Sequence, residues 1–204
     1  MKKRELKILG LSYSQTQLGS YVIVLSDKKG SRKLPIIIKP AEAQRIAIEI
    51  EGIKSSRPMV HDLFKTMTDF YQIDVQEVYI HTLLEGVFYT KITTSNGLDE
   101  VDMECTAGDA IALSVIYQCP IYTTSDILES VGIVINDDGT PVADEGMMDI
   151  DVDEETEDKS SYSKETSRIV SVEDLEHMMN EAIANEEYEI AAEIRDRIQQ
   201  LKGE

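Results

Sequence analysis

The sequence predicts an α+β domain, a mostly antiparallel sheet packed with about four helices, followed by a C-terminal α-helical hairpin. Three observations predict it. Short runs rich in β-branched residues, bounded by Gly- or Asn-containing turns, recur between residues 4 and 104. Helix-period segments are interleaved with them, two introduced by Pro40 and Pro58. After residue 136 the pattern stops, and a second helical pattern begins at Ser171 beyond a strongly acidic stretch. The chain of 204 residues thus divides into a domain (1–135), a linker (136–170) and a hairpin (171–204).

Residues 4–14 read as a strand anchored by Leu6, Ile8 and Leu11. The apolar run 21–25 is too short for a helix and reads as a second strand. Residues 27–31, ending in Gly30-Ser31, make a turn into a third strand at 33–38. Pro40 suits the first turn of a helix, where its missing N–H costs nothing. Ala43, Ile46, Ala47 and Ile50 give that helix one apolar face. Ser55-Ser56-Arg57 is a loop, and Pro58 opens a second helix with Val60, Leu63, Phe64, Met67, Phe70 and Tyr71 on its expected buried side. Strands at 75–84 and 87–94 flank Glu85-Gly86, a two-residue hairpin signal. Asn96-Gly97 turns the chain into a strand at 101–104. Residues 107–117 read as a largely buried helix, 120–122 as a short strand, and 126–131 as a helix capped by Ser125 and ended by Gly132. In the tail, Ser171 is an N-cap with Asp174 three residues on. Asn185-Glu186-Glu187 separates the two hairpin helices. So short a hairpin buries too little surface alone and is expected to dock on its own domain, a second copy or a partner.

The formal net charge of −19 is unevenly spread. Residues 1–136 hold 17 acids and 14 bases, whereas residues 137–204 hold 22 acids and 6 bases. Residues 137–158 alone hold eleven acids and no Lys or Arg, the composition of a self-repelling, disordered linker. The domain itself is nearly neutral, and it shows no Lys/Arg stripe of the kind that marks a large DNA footprint. Two cysteines, Cys105 and Cys119, imply no disulfide framework and lack zinc-ligand spacing. The start Met1-Lys2-Lys3-Arg4 is basic, but Glu5 follows at once and no apolar span appears. A cytoplasmic protein with no membrane partner is the expectation.

Leu34-Pro35-Ile36, Glu42-Ala43 and Ile46-Ala47 precede the block Arg57-Pro58-Met59-Val60-His61-Asp62-Leu63. Asp109-Ala110-Ile111-Ala112-Leu113 and Pro120-Ile121 follow in register. This order resembles the core of the bifunctional nuclease (BFN) domain family. The tail segment Tyr188-Glu189-Ile190-Ala191-Ala192-Glu193-Ile194-Arg195-Asp196 resembles the UVR motif of nucleotide-excision-repair subunits and some protease regulators. The resemblance implies a nuclease acting on DNA and RNA with little sequence preference. It also implies a hairpin that docks a protein partner or a second copy through Leu175, Met179, Tyr188, Ala191, Ala192, Arg195 and Asp196. The chain departs from the family pattern at Thr106 and Ile116, where arginines are usual, and at Glu104, where Asp is usual.

Phosphodiester hydrolysis needs an attacking water, charge stabilisation at phosphorus and help for the leaving oxygen. A carboxylate-held Mg²⁺ or Mn²⁺ supplies all three. The candidate catalytic residues are Glu42, His61, Asp62 and Asp109, with Asp62, Asp109 and Glu104 as metal ligands and Arg57 as the phosphate-binding group. The imidazole side chain, whose unperturbed pKa lies near neutrality, makes His61 suited to acid–base work. Three of the acids also fall at helix beginnings, where the dipole favours negative charge for purely structural reasons. His61 and Asp62 are consecutive on a helix and point roughly 100° apart. A non-catalytic regulator or adaptor, flexibly tethered to its partner-binding hairpin, is the alternative reading.

Overall fold

A computed structural model describes residues 2–14, 17, 19–30, 32–53, 57–134 and 170–202. Ser31, the loop residues Ser55 and Ser56, and the expected linker up to residue 169 lie outside the described residues.

The sheet has eight strands in chain order: β1 (Lys3–Tyr13), β2 (Tyr21–Asp27), β3 (Arg32–Ile38), β4 (Asp74–Leu84), β5 (Val87–Ser95), β6 (Glu100–Cys105), β7 (Ile121–Thr124) and β8 (Ile133–Val134). Across the sheet the order is β6-β5-β4-β7-β1-β2-β3-β8. All pairings are antiparallel except β4 with β7, which is parallel. The helices are α1 (Pro40–Ile50), α2 (Val60–Phe70), α3 (Ala107–Tyr117), α4 (Ser125–Val131), α5 (Val172–Ala184) and α6 (Tyr188–Lys202). The α+β class, its four helices and the C-terminal hairpin agree with the expectation.

Strand periodicity sets the core. In β2, Tyr21, Ile23, Leu25 and Asp27 point inward while the residues between them are half-exposed. Their neighbours on β3, Leu34, Ile36 and Ile38, are also buried. Glu85 and Gly86 both take positive φ, 51° and 77°, as a two-residue turn matched to the strand twist requires. Helix α3 packs on α1 and on β3, β4 and β5, so Ala110, Ile111 and Leu113 meet the sheet interior. Thr124, rather than Ser125, caps α4: its hydroxyl accepts the Ile127 N–H at 3.1 Å.

Helix α2 corrects the sequence reading. Val60, Leu63, Met67, Phe70 and Tyr71 face solvent, and the side turned inward carries His61, Phe64 and Thr68. Phe64 meets the Tyr117 ring edge-to-face, and the Thr68 and Tyr117 hydroxyls lie 2.5 Å apart. Pro58 also lies outside the helix, whose N-cap is Met59.

The hairpin docks on its own domain. Leu175, Met178, Ile194 and Ile198 join the same buried cluster as the strands. Val170 bridges Leu11, and the Tyr13 N–H donates to Asp174 at 2.7 Å. The Tyr13 ring stacks on His177, and the buried Tyr21 hydroxyl donates to Glu181 at 2.9 Å. Arg197 places two nitrogens 3.0 Å from one oxygen of the nearly buried Glu51 carboxylate. Burial first, then the Glu181 contact, pushes the Tyr21 phenol well above its ordinary pKa. No helix among the described residues is long and apolar enough to cross a membrane.

Candidate functional site

Three expected acids occupy the third position of a helix, and the structure separates their roles. Glu42 accepts the Lys39 backbone N–H at 2.9 Å, and Asp62 accepts the Met59 N–H at 2.7 Å. Both close the reciprocal half of a capping box. In α3, Thr106 is the N-cap and accepts the Asp109 N–H at 3.2 Å. The Asp109 carboxylate instead meets the Thr106 hydroxyl at 2.9 Å and lies 3.4 Å from His61 Nε2.

Thr106 joins α1 to α3, because its hydroxyl also lies 3.2 Å from Glu42 Oε1. A hydroxyl has one proton, so it donates to Glu42 or to Asp109 but not to both at once. Gly108 permits this approach: a Cβ there would collide with the Glu42 carboxylate. The cluster is therefore His61, Asp109, Thr106 and Glu42, drawn from the starts of three helices. It grades from the nearly buried Glu42 to the half-exposed Asp109.

Asp62 belongs to a different network. Its Oδ1 lies 2.7 Å from Arg45 Nη2, and the same nitrogen reaches Glu49 at 3.1 Å. The Arg45 side chain is only 5% exposed, and its buried Nε has no hydrogen-bond partner. The 100° divergence of consecutive helical residues thus sends His61 to α3 and Asp62 to α1.

Two further expected residues lie elsewhere. Glu104 is mostly exposed on β6 and sits 3.4 Å from His81 on β4. Strand alternation turns it to the sheet face opposite Met103 and Cys105, which pack on the core. Arg57 is 82% exposed and pairs with Glu189 of α6 at 3.0 Å. The structure therefore brings Glu42, His61 and Asp109 together, and leaves Asp62, Glu104 and Arg57 outside that cluster. Among the described residues no three His, Cys, Asp or Glu side chains are placed to hold a metal ion. The expected ligands Asp62, Asp109 and Glu104 lie in three separate networks.

Of the hairpin residues expected to bind a partner, Leu175 and Ala191 are buried, while Met179 and Ala192 are half-buried. Tyr188, Arg195 and Asp196 face outward, the last two paired with each other at 2.9 Å. Sequence reasoning passed over Arg45, Thr106 as a bridge, and Gly108. A signal for Thr106 existed, because Thr106-x-x-Asp109 before an apolar run is itself a capping pattern. Cys105 and Cys119 are half-buried free thiols, each pushed to about 11, chiefly by burial.

An uncharacterized protein of Mycobacterium tuberculosis is 28% identical over 159 residues, covering 78% of this chain and 94% of the relative; the same match is found in two strains. Bifunctional nuclease 2 of Arabidopsis thaliana is 25% identical over 185 residues, covering 86% of this chain and 54% of the plant protein. The bifunctional nuclease domain profile matches residues 23–136, which include every member of the His61 cluster, and the UvrB/uvrC motif matches residues 170–204. The chain belongs to the bifunctional nuclease domain family and carries a UvrB/uvrC motif as its C-terminal hairpin.

Proposed function

We propose that this chain is a nuclease that hydrolyses phosphodiester bonds in DNA and RNA with little sequence preference, with His61 as its proton-transfer group. The observation that carries the reading is the meeting of His61 and Asp109 inside a bifunctional nuclease domain. An imidazole can take a proton from an attacking water or give one to a leaving oxygen. Asp109 lies against Nε2 and holds the ring, so Nδ1 is the atom that exchanges the proton, as in other carboxylate–imidazole pairs. The Thr106 hydroxyl meets Asp109 from behind. Arg57 is the candidate phosphate contact and must exchange Glu189 for substrate to serve. Mg²⁺ or Mn²⁺ would assist by stabilising charge at phosphorus. A reduced, cytoplasmic setting is part of the reading too, supported by the two free thiols.

The test is cleavage of single- and double-stranded DNA and RNA in Mg²⁺, Mn²⁺ or EDTA, by wild type and by His61→Ala and Asp109→Asn. Equal cleavage by all three proteins would reject the reading.

A second reading, a non-catalytic regulator or adaptor whose hairpin docks a partner, is favoured by two observations. Thr106 stands where the family resemblance implies an arginine and serves as the cap of α3, and Arg57 pairs with the hairpin. Its measurement is partner capture by the full chain, with Tyr188→Ala/Arg195→Ala as the control. A partner bound equally by both proteins would argue against docking through the exposed hairpin face.

A further inference from the structure

We propose that α2 is the interface between two copies of this chain, paired antiparallel across a two-fold axis level with the midpoint of the helix. The outward stripe is large. Val60 is 80% exposed, Leu63 68%, Met67 47%, Phe70 79% and Tyr71 65%. Contiguous apolar surface of this kind marks an interaction site.

The spacing identifies the occupant. Val60, Leu63, Met67 and Phe70 follow the three-four alternation of a helix–helix seam. The same four positions are symmetric about residue 65, the midpoint of α2. In an antiparallel pair, Val60 therefore faces Phe70 of the second copy, and Leu63 faces Met67. The Val60–Phe70 pairing sets a smaller side chain against a larger one, the Leu63–Met67 pairing sets two of similar volume together, and each contact occurs twice, as an isologous two-fold interface requires.

Charge agrees with this arrangement. The positions flanking the seam are Phe64, Thr66 and Tyr71, none of them charged. Lys65 and Asp69 pair with each other along the side of their own helix at 3.1 Å. Bringing two copies together thus opposes no like charges across the seam. Nor does the described hairpin compete for this face, since its own apolar stripe is already seated on the domain.

The area suffices as well. With an aromatic side chain offering roughly 150–250 Å², the five exposed residues present on the order of 600 Å² per copy. Two copies then bury about 1,200 Å², the lower end of stable interfaces.

The test is sedimentation of the full chain across a range of concentrations, with Leu63→Glu and the double variant Leu63→Glu/Met67→Lys. The expected results are twice the chain mass for wild type and the single-chain mass for Leu63→Glu. Circular dichroism should be unchanged, because Leu63 is exposed in one copy. The double variant should also give the single-chain mass, because the introduced carboxylate and ammonium lie four residues apart, pair along their own helix and remove apolar area from the seam. A wild type that stays monomeric, or a dimer that survives Leu63→Glu, overturns the proposal.

Discussion

Asp62 and His61 are neighbours in the sequence, yet they enter two networks that differ in how charge is met. The Asp62 network is built around a permanent cation: Arg45, almost fully buried, lies between Asp62 and Glu49. It also closes a cap, so its carboxylate is committed to fixed donors. The His61 network contains no permanent cation within it. Its groups are an imidazole, two carboxylates and one hydroxyl with a single proton to share. The difference teaches which of two equally suggestive residues is available for chemistry. A carboxylate held by a buried arginine and a backbone N–H is difficult to recruit, whereas a ring beside one half-exposed carboxylate can exchange a proton with solvent.

The sharpest break in that comparison is His61→Ala. On the nuclease reading, cleavage falls roughly 10²–10⁴-fold, the usual worth of a general acid or base. Stability measured by denaturant should change by less than about 1 kcal/mol. Asp62→Ala should do the reverse. It removes a cap and leaves the buried Arg45 with Glu49 alone, for a loss of about 3 kcal/mol in urea unfolding. Its cleavage rate, measured where it remains folded, should stay within a few-fold of wild type. If Asp62→Ala abolished cleavage while leaving stability intact, the assignment of the two networks would have to be exchanged.

Gly108→Ala tests the link between α1 and α3. The added methyl displaces Glu42, for a cost of about 2 kcal/mol by analogy with other overpacked sites. Cleavage should stay within a few-fold of wild type, because Thr106 then donates its one proton to Asp109 alone. The smallest effect concerns the hairpin. The Tyr21 phenol keeps its proton in the folded chain at pH values where an unfolded tyrosine loses it. That contribution to stability is whole below about pH 10, the ordinary tyrosine value, and declines as pH rises beyond it. Unfolding measured at neutral pH and above pH 10 should show this decline in wild type, and a smaller one in Tyr21→Phe.

Much of the fold was legible because its signals are local. A short apolar run placed β2, the turn at 27–31 led into β3, Glu85-Gly86 placed the β4–β5 turn, and Ser171 with Asp174 placed the start of α5. The acids at helix starts were legible as caps for the same reason, and two of the three in the domain close capping boxes. The candidate site was only half legible. Its residue types stood in the sequence, but whether Asp62 or Asp109 accompanied His61 depended on which helices pack side by side. Helix α2 was misread because an apolar stripe shows only that something covers it. Phe64 and Thr68 took the inward side through their contacts with Tyr117, which lies some fifty residues away.

By itself, then, the sequence determined the elements, the Ser171 cap, the Glu85-Gly86 turn and the concentration of negative charge in the tail. Those depend on backbone geometry and on side chains within a few residues of one another. Only the tertiary structure decided the parallel β4–β7 pairing, the seating of the hairpin on β1, β2 and α1, the division between His61 and Asp62, and the outward stripe of α2. Each of those depends on contacts between segments far apart along the chain, whose partners no local periodicity names.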